Sequence, residues 1–149
     1  PDLDAIITPV GGGGLMSGTA LCARELKPQC RVFAAEPAGA DDASQSKAAG
    51  AFVPQKGPDT ICDGLRTSLG EGSTWPVLRD VVEEVLVAND AAVVEAMRLL
   101  WSRAKLVVET NAALGLAVAL GSRFRELDGI ERVGIVLTGG NVDLDNLPW

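Results

Sequence analysis

The sequence predicts an α/β fold in which a parallel sheet carries helices on both faces. Three observations lead there. Short runs rich in branched apolar residues alternate with segments whose apolar residues recur at helical spacing. Several of those runs are apolar at successive positions, as strands covered on both faces must be. Glycine clusters stand behind the first and the last of them, where a strand has to turn into the next element.

LDAIITPV (3–10) is the first predicted strand, and Gly11, Gly12, Gly13 and Gly14 follow it. LMSGTALCAREL (15–26) predicts a helix with Leu15, Cys22 and Leu26 on one face and Met16, Ala20 and Ala23 beside them, stopped by Pro28. RVFAAE (31–36) is a second strand, a short helix is expected around residues 41–50, and residues 53–65 read mostly as loop. VEEVLVA (82–88) alternates like a strand, and Asn89 or Asp90 can cap the next helix, whose apolar face is Val93, Met97, Leu100, Trp101 and Ala104. NAALGLAVALG (111–121) is apolar nearly all round, which predicts a buried helix. ERVGIVLTGGN (131–141) predicts a buried strand that runs into a second glycine turn. No linker or low-complexity segment divides the chain, and 149 residues with 47% apolar content suffice for one core.

Composition excludes several kinds of function. A formal net charge of −7 argues against a surface that tracks nucleic acid or anionic lipid. No apolar stretch reaches the roughly 20 residues that span a bilayer, and PDLDA at the start has neither the basic nor the apolar part of a signal peptide. A soluble, cytoplasmic protein acting on a small molecule is expected. Cys22, Cys30 and Cys62 lack CxxC spacing and read as buried free thiols. With no histidine in the chain, neither a Ser-His-Asp triad nor a histidine zinc site can be assembled from it. Any catalysis therefore rests on a cofactor.

The four consecutive glycines have three readings: a flexible linker, a dinucleotide loop, or a cradle for the phosphate of some other cofactor. A flexible linker fails, because the run lies between a strand and a helix. A tight turn at a helix N-terminus aims consecutive backbone N–H groups at an anion, and side chains would obstruct the approach. The ATPase-type loop is disfavoured, since Leu15 and Met16 stand where Lys-Ser/Thr would be needed. A dinucleotide loop stays open: Gly12, Gly14 and Ser17 approximate GxGxxG, and Glu36 ends the next strand where a ribose-binding carboxylate belongs.

The stretches AAEPAGADDASQSK (34–47), DGLRTSLG (63–70), TWPVLRD (74–80) and GIVLTGGNVDL (134–144), in this order behind the glycines, resemble the serine racemases and the related threonine/serine dehydratases of the fold-type II pyridoxal-phosphate enzymes. The plant-type racemases look closest. The resemblance implies that Gly11, Gly12, Gly13 and Gly14, with the Leu15 N–H beside them, hold the cofactor phosphate. It implies that the Thr138 hydroxyl meets the pyridine nitrogen in place of the usual serine, a neutral partner that leaves the ring a weaker electron sink than a carboxylate would. It further implies a Mg2+ or Ca2+ site at Glu36, the Ala40 carbonyl and Asp42, a set of hard oxygen ligands; an acidic turn with Asp41 or Asp42 capping a helix is the other reading of that segment. Asp63 resembles an aspartate that faces the substrate, and Glu109 a glutamate near the cofactor ring. Lys105 and Asn141 match positions that serve ATP as an effector at a subunit interface.

The family's Schiff-base lysine motif, Ser-Phe-Lys-x-Arg-Gly, has no match in the chain, and the acid/base serine is also expected upstream. The chain thus reads as the C-terminal part of the cofactor-binding large domain, inactive alone, from a homodimeric enzyme. Where the family usually has Glu-Pro-Ser/Thr-Gly/Ala, this chain has Glu109, Thr110, Asn111 and Ala112. The implied activity is serine racemisation with elimination to pyruvate and ammonia. A threonine or hydroxyaspartate dehydratase is the alternative, and a non-catalytic nucleotide- or cofactor-binding remnant the alternative of another class.

Overall fold

The computed structural model describes residues 2–149. Four strands, β1 (Ala5–Pro9), β2 (Arg31–Pro37), β3 (Glu84–Ala88) and β4 (Val133–Ile135), form a wholly parallel sheet in the order β3-β2-β1-β4. Six α-helices connect or cover them: α1 (Gly14–Leu26), α2 (Asp42–Ala49), α3 (Trp75–Val81), α4 (Asp90–Leu99), α5 (Thr110–Leu120) and α6 (Ser122–Arg125). Alternate residues of β2 feed two cores. Phe33 and Ala35 join Ile7, Leu86, Met97 and Leu114 under α4, α5 and α6, whereas Val32 and Ala34 join Met16, Ala20, Trp75 and Leu78 under α1 and α3. This two-sided burial explains the continuous apolar runs of the strands.

Local chemistry sets the ends of the elements. Asn89 caps α4, its side chain accepting the Ala92 N–H at 2.9 Å. Gly50 closes α2 in the left-handed conformation at φ 65°. Past α4, residues Leu100–Ala104 widen into a π-type turn that ends at Lys105, itself left-handed at φ 61°. A short 3-10 turn, Asp63–Leu65, interrupts the long loop between α2 and α3.

Three expectations need correction, and one helix was not expected. Leu15, Cys22 and Leu26 do not face the core: Leu26 is 81% exposed, and α1 buries Met16, Ser17, Ala20 and Ala23 instead. Cys22 is consequently exposed, and only Cys30 and Cys62 are buried. The final strand is three residues long and half-buried, because β4 lies at the sheet edge with β1 as its one partner. Helix α3 lies in a segment with no apolar periodicity long enough to predict it; Pro76 in its first turn starts it and Trp75 and Leu78 anchor it.

Candidate functional site

The chain runs from β1 outward through β2 to β3, then returns to place β4 on the other side of β1. The order reverses beside β1. In open parallel sheets, ligands settle outside the C-terminal strand ends at such a reversal, since the connecting loops diverge there and leave a crevice. The loops leaving β1 and β4 are the tetraglycine run and the segment containing Thr138. Both line one cavity of about 270 Å3, together with Pro9, Met16, Gly64, Leu65, Glu109 and Asn111.

Gly13 is the N-cap of α1 and adopts φ 87°, a left-handed conformation that favours glycine. A Cβ at Gly13 would lie 2.7 Å from Thr74 Cβ, and one at Gly11 would lie 3.2 Å from the Leu65 Cα. By contrast, a Cβ at Gly14 would meet nothing within 4 Å. Packing thus demands glycine at 13 and favours it at 11, while the space beside Gly14 is free for a ligand. Among the described residues, none accepts a hydrogen bond from the N–H groups of residues 11–16, whereas Val10 N–H is used by the Ala35 carbonyl and Ser17 N–H by the Gly13 carbonyl. A row of unpaired donors at the positive end of a 13-residue helix suits an anion such as a phosphate. These residues fit the phosphate of the cofactor implied above.

The second glycine turn is tied to the same wall. Glu109 N–H donates to the Gly139 carbonyl at 3.1 Å, and a Cβ at Gly140 would fall 2.5 Å from the Val107 carbonyl oxygen. Thr138 is exposed, lines the cavity and makes no side-chain hydrogen bond among the described residues. Glu109 also lines a second cavity of about 420 Å3 that contains Asp63, Thr110 and Asn141. Hydrogen bonds from Asn111 and from the Gly64 N–H, with Arg66 adding a favourable charge, hold the Asp63 carboxyl below its usual range.

Sequence reasoning singled out Asp63 but missed its partner. Asn111 Nδ2 donates to Asp63 Oδ1 at 3.0 Å, and Asn111 Oδ1 accepts the Gly64 N–H at 3.2 Å. It missed Thr74 as well, whose Oγ1 donates to the Gly12 carbonyl at 2.8 Å. Nothing in the local pattern marks either residue, although the Asn at the family's Ser/Thr position was a visible departure.

Glu36, Ala40 and Asp42 gather apart from the glycine cradle. Glu36 is 1% exposed and Asp42 2%. Glu36 accepts the Ala43 and Ser44 N–H groups at 2.9 and 2.8 Å, and Asp42 accepts the Leu69 N–H at 3.1 Å. Burial pushes the Glu36 carboxyl up to about 8, reinforced by the charges of Asp42 and Asp41. Burial raises Asp42 as well. No Lys or Arg compensates either group, and among the described residues nothing donates to the Ala40 carbonyl. Two buried carboxylates and a free carbonyl fit a hard divalent cation, with water completing the shell, although no three acidic, Cys or His side chains cluster among the described residues.

This geometry corrects two readings. The helix cap on α2 is Glu36, reaching from β2, since Asp41 makes no side-chain cap bond. Glu36 is also buried and held against α2 by its bonds from the Ala43 and Ser44 N–H groups, which argues against its serving as the ribose carboxylate of a dinucleotide loop. Lys105 and Asn141 are not brought into one pocket: Asn141 lines the second cavity, while the Lys105 ammonium is held by the Ser102 carbonyl at 2.7 Å. No helix among the described residues is long and apolar enough to cross a membrane.

Comparison with known proteins agrees with the cradle. Residues 1–139 match the family of pyridoxal-phosphate dependent enzymes. The chain is 48% identical to the serine racemase of Arabidopsis thaliana, over 98% of this chain and 45% of that protein. It is 45% identical to the β-hydroxyaspartate dehydratase of Paracoccus denitrificans, over 99% of this chain and 46% of that protein. Its fold matches the structure of maize serine racemase with a TM-score of 0.94 at 47% identity, covering 97% of this chain and 45% of that one. The chain thus spans under half the length of these relatives. Its matched length, its sheet order and its donor-lined crevice make the chain a member of the pyridoxal-phosphate dependent enzyme family, with the fold of the serine racemases and threonine deaminases.

Proposed function

We propose that the whole protein is a pyridoxal-phosphate dependent serine racemase that also eliminates water from serine to give pyruvate and ammonia. The observation that carries this reading is the row of unpaired N–H groups at residues 11–16, which faces one cavity with Thr138. Pyridoxal phosphate, when bound, supplies an electron sink that makes the α-proton of an amino acid labile. Gly11, Gly12, Gly13, Gly14 and Leu15 hold the phosphate through backbone donors. Thr138 offers the ring nitrogen a neutral hydroxyl, which limits how much charge the ring can draw and suits reprotonation or loss of a β-hydroxyl. Asp63 and Glu109 stand at the substrate side as fixed acidic groups.

The 149 residues are the C-terminal part of the cofactor-binding domain on this reading, and the remainder supplies the lysine and the acid/base serine. The exposed apolar residues of α1 support it. Leu26 and Cys22 line an open groove of about 490 Å3 with Leu3 and Ile6, a surface suited to covering by further chain. Glu36, Ala40 and Asp42 hold Mg2+ or Ca2+. A cytoplasmic homodimer fits the family reading, and Asn141 in the second cavity is the residue with which an ATP-like effector would make contact.

A second reading has its own support, since identity to the hydroxyaspartate dehydratase is nearly that to the racemases. Full-length protein supplied with pyridoxal phosphate and L-serine is expected to yield D-serine and pyruvate. Dominant formation of 2-oxobutyrate from threonine, or of oxaloacetate from hydroxyaspartate, would favour the dehydratase. Absence of all these products would overturn both.

A further inference from the structure

The turn at Asp63 and Gly64 is clasped from two sides. On one side stands Asn111, 8% exposed in the first turn of α5. Its amide oxygen accepts the Gly64 N–H at 3.2 Å and its amide nitrogen donates to Asp63 Oδ1 at 3.0 Å, while that same Oδ1 accepts the Gly64 N–H at 2.8 Å. The three groups close a ring. Contact is so tight that a Cβ at Gly64 would lie 3.0 Å from Asn111 Nδ2. On the other side lies the tetraglycine loop, where a Cβ at Gly11 would meet the Gly64 carbonyl oxygen at 3.3 Å and Thr67 Oγ1 at 3.0 Å. The 64–65 backbone therefore fills the gap between Asn111 and Gly11 with no slack.

From this geometry we infer that Asn111 is a positioning residue for the cofactor: its amide locks the Asp63–Gly64 turn against Gly11 and so fixes the width of the phosphate cradle. The inference rests on the cofactor reading proposed above. A primary amide suits the task because it carries a donor and an acceptor on separate branches, matching a carboxylate and an N–H that lie side by side. A carboxylate of the same shape could accept the Gly64 N–H but would face Asp63 without a proton to donate. The clasp is also the partition between the two cavities, since Gly64 and Asn111 line the first, Asp63 lines the second, and Glu109 lines both.

The test uses full-length protein, reading pyridoxal-phosphate affinity by titration and, without cofactor, hydrogen exchange of the Gly64 amide. Asn111→Ala is expected to weaken binding about tenfold, the worth of one hydrogen bond to a charged group, and to speed Gly64 exchange. Asn111→Asp should be worse on both counts. The double variant Asp63→Asn, Asn111→Asp restores a donor opposite an acceptor and should recover most of the affinity and the protection. Unchanged affinity in both single variants, with normal uptake by the wild type, would overturn the role of Asn111 alone. So would a loss that the double variant does not recover, because disturbed packing would then explain it. A wild-type protein that takes up no pyridoxal phosphate would overturn the cofactor reading itself.

Discussion

Thr74 Oγ1 donates to the Gly12 carbonyl at 2.8 Å and accepts the Gly70 N–H at 2.8 Å, so the residue that precedes α3 holds the tetraglycine loop from behind. Thr74→Val keeps the shape and removes both bonds. Full-length protein carrying it is expected to lose about 1 kcal/mol of stability and to bind pyridoxal phosphate several-fold more weakly. Thermal melts with and without cofactor check this, and the loss should be larger with cofactor present.

The buried acidic pair gives a pH dependence with a definite sign. Glu36 is raised from its ordinary 4.5 to about 8, so between those values the folded protein keeps a proton that the unfolded chain has released. In a chelator, stability is fully present below about 4.5 and falls as pH rises through about 8, by an amount on the order of a few kcal/mol. On the proposed cation site, Mg2+ or Ca2+ should take the place of the proton and flatten the fall. Melting temperatures from pH 5 to 8.5, in chelator and in either ion, measure both slopes. Glu36→Gln keeps one N–H acceptor and should remove most of the slope, leaving the part due to Asp42, and weaken the response to the ion; a response retained in the Glu36→Gln, Asp42→Asn double variant would show that the cation binds elsewhere.

Thiol chemistry reports on the groove along α1. In the isolated chain, Cys22 is exposed and should react rapidly with an alkylating probe, whereas Cys30 and Cys62 are buried and should react only on unfolding. Burial pushes the Cys62 thiol up to about 11, which removes thiolate as well as access. If further chain covers the groove that Cys22 lines, as the proposed reading has it, Cys22 should become protected in full-length protein. Equal Cys22 reactivity in both would argue against that placement.

Sequence made the sheet legible because its strands are short and rich in branched apolar residues, and the first three are each followed by a helix. The glycine-lined crevice at the sheet's reversal was legible because glycine at four successive positions between a strand and a helix has few purposes. Side-chain geometry was not. On α1, Leu15 and Leu26 outrank Ala20 and Ala23 in hydrophobicity, yet the close approach of the helix to the sheet selects the small residues and leaves the leucines outside. Glu36 could be placed at a strand end, but its role as cap of α2 arises only when β2 and α2 are docked. Asn111 and Asp63 are 48 positions apart, and no local pattern pairs them.

The central claim is that the N–H groups around Gly11 to Gly14 hold the phosphate of pyridoxal phosphate. Its most direct test is the cofactor affinity of a Gly12→Ala, Gly14→Ala double variant of the full-length protein. A Cβ at Gly12 would make only ordinary contacts, 3.8 and 3.9 Å from Thr67 Oγ1 and the Ser68 carbonyl oxygen, and one at Gly14 would touch nothing within 4 Å. The fold should therefore tolerate both methyl groups, while a phosphate seated on that backbone should not. The account predicts a melting temperature without cofactor close to the wild type and an affinity for pyridoxal phosphate lowered about tenfold or more. Normal folding with wild-type affinity would contradict it and move the phosphate away from this loop.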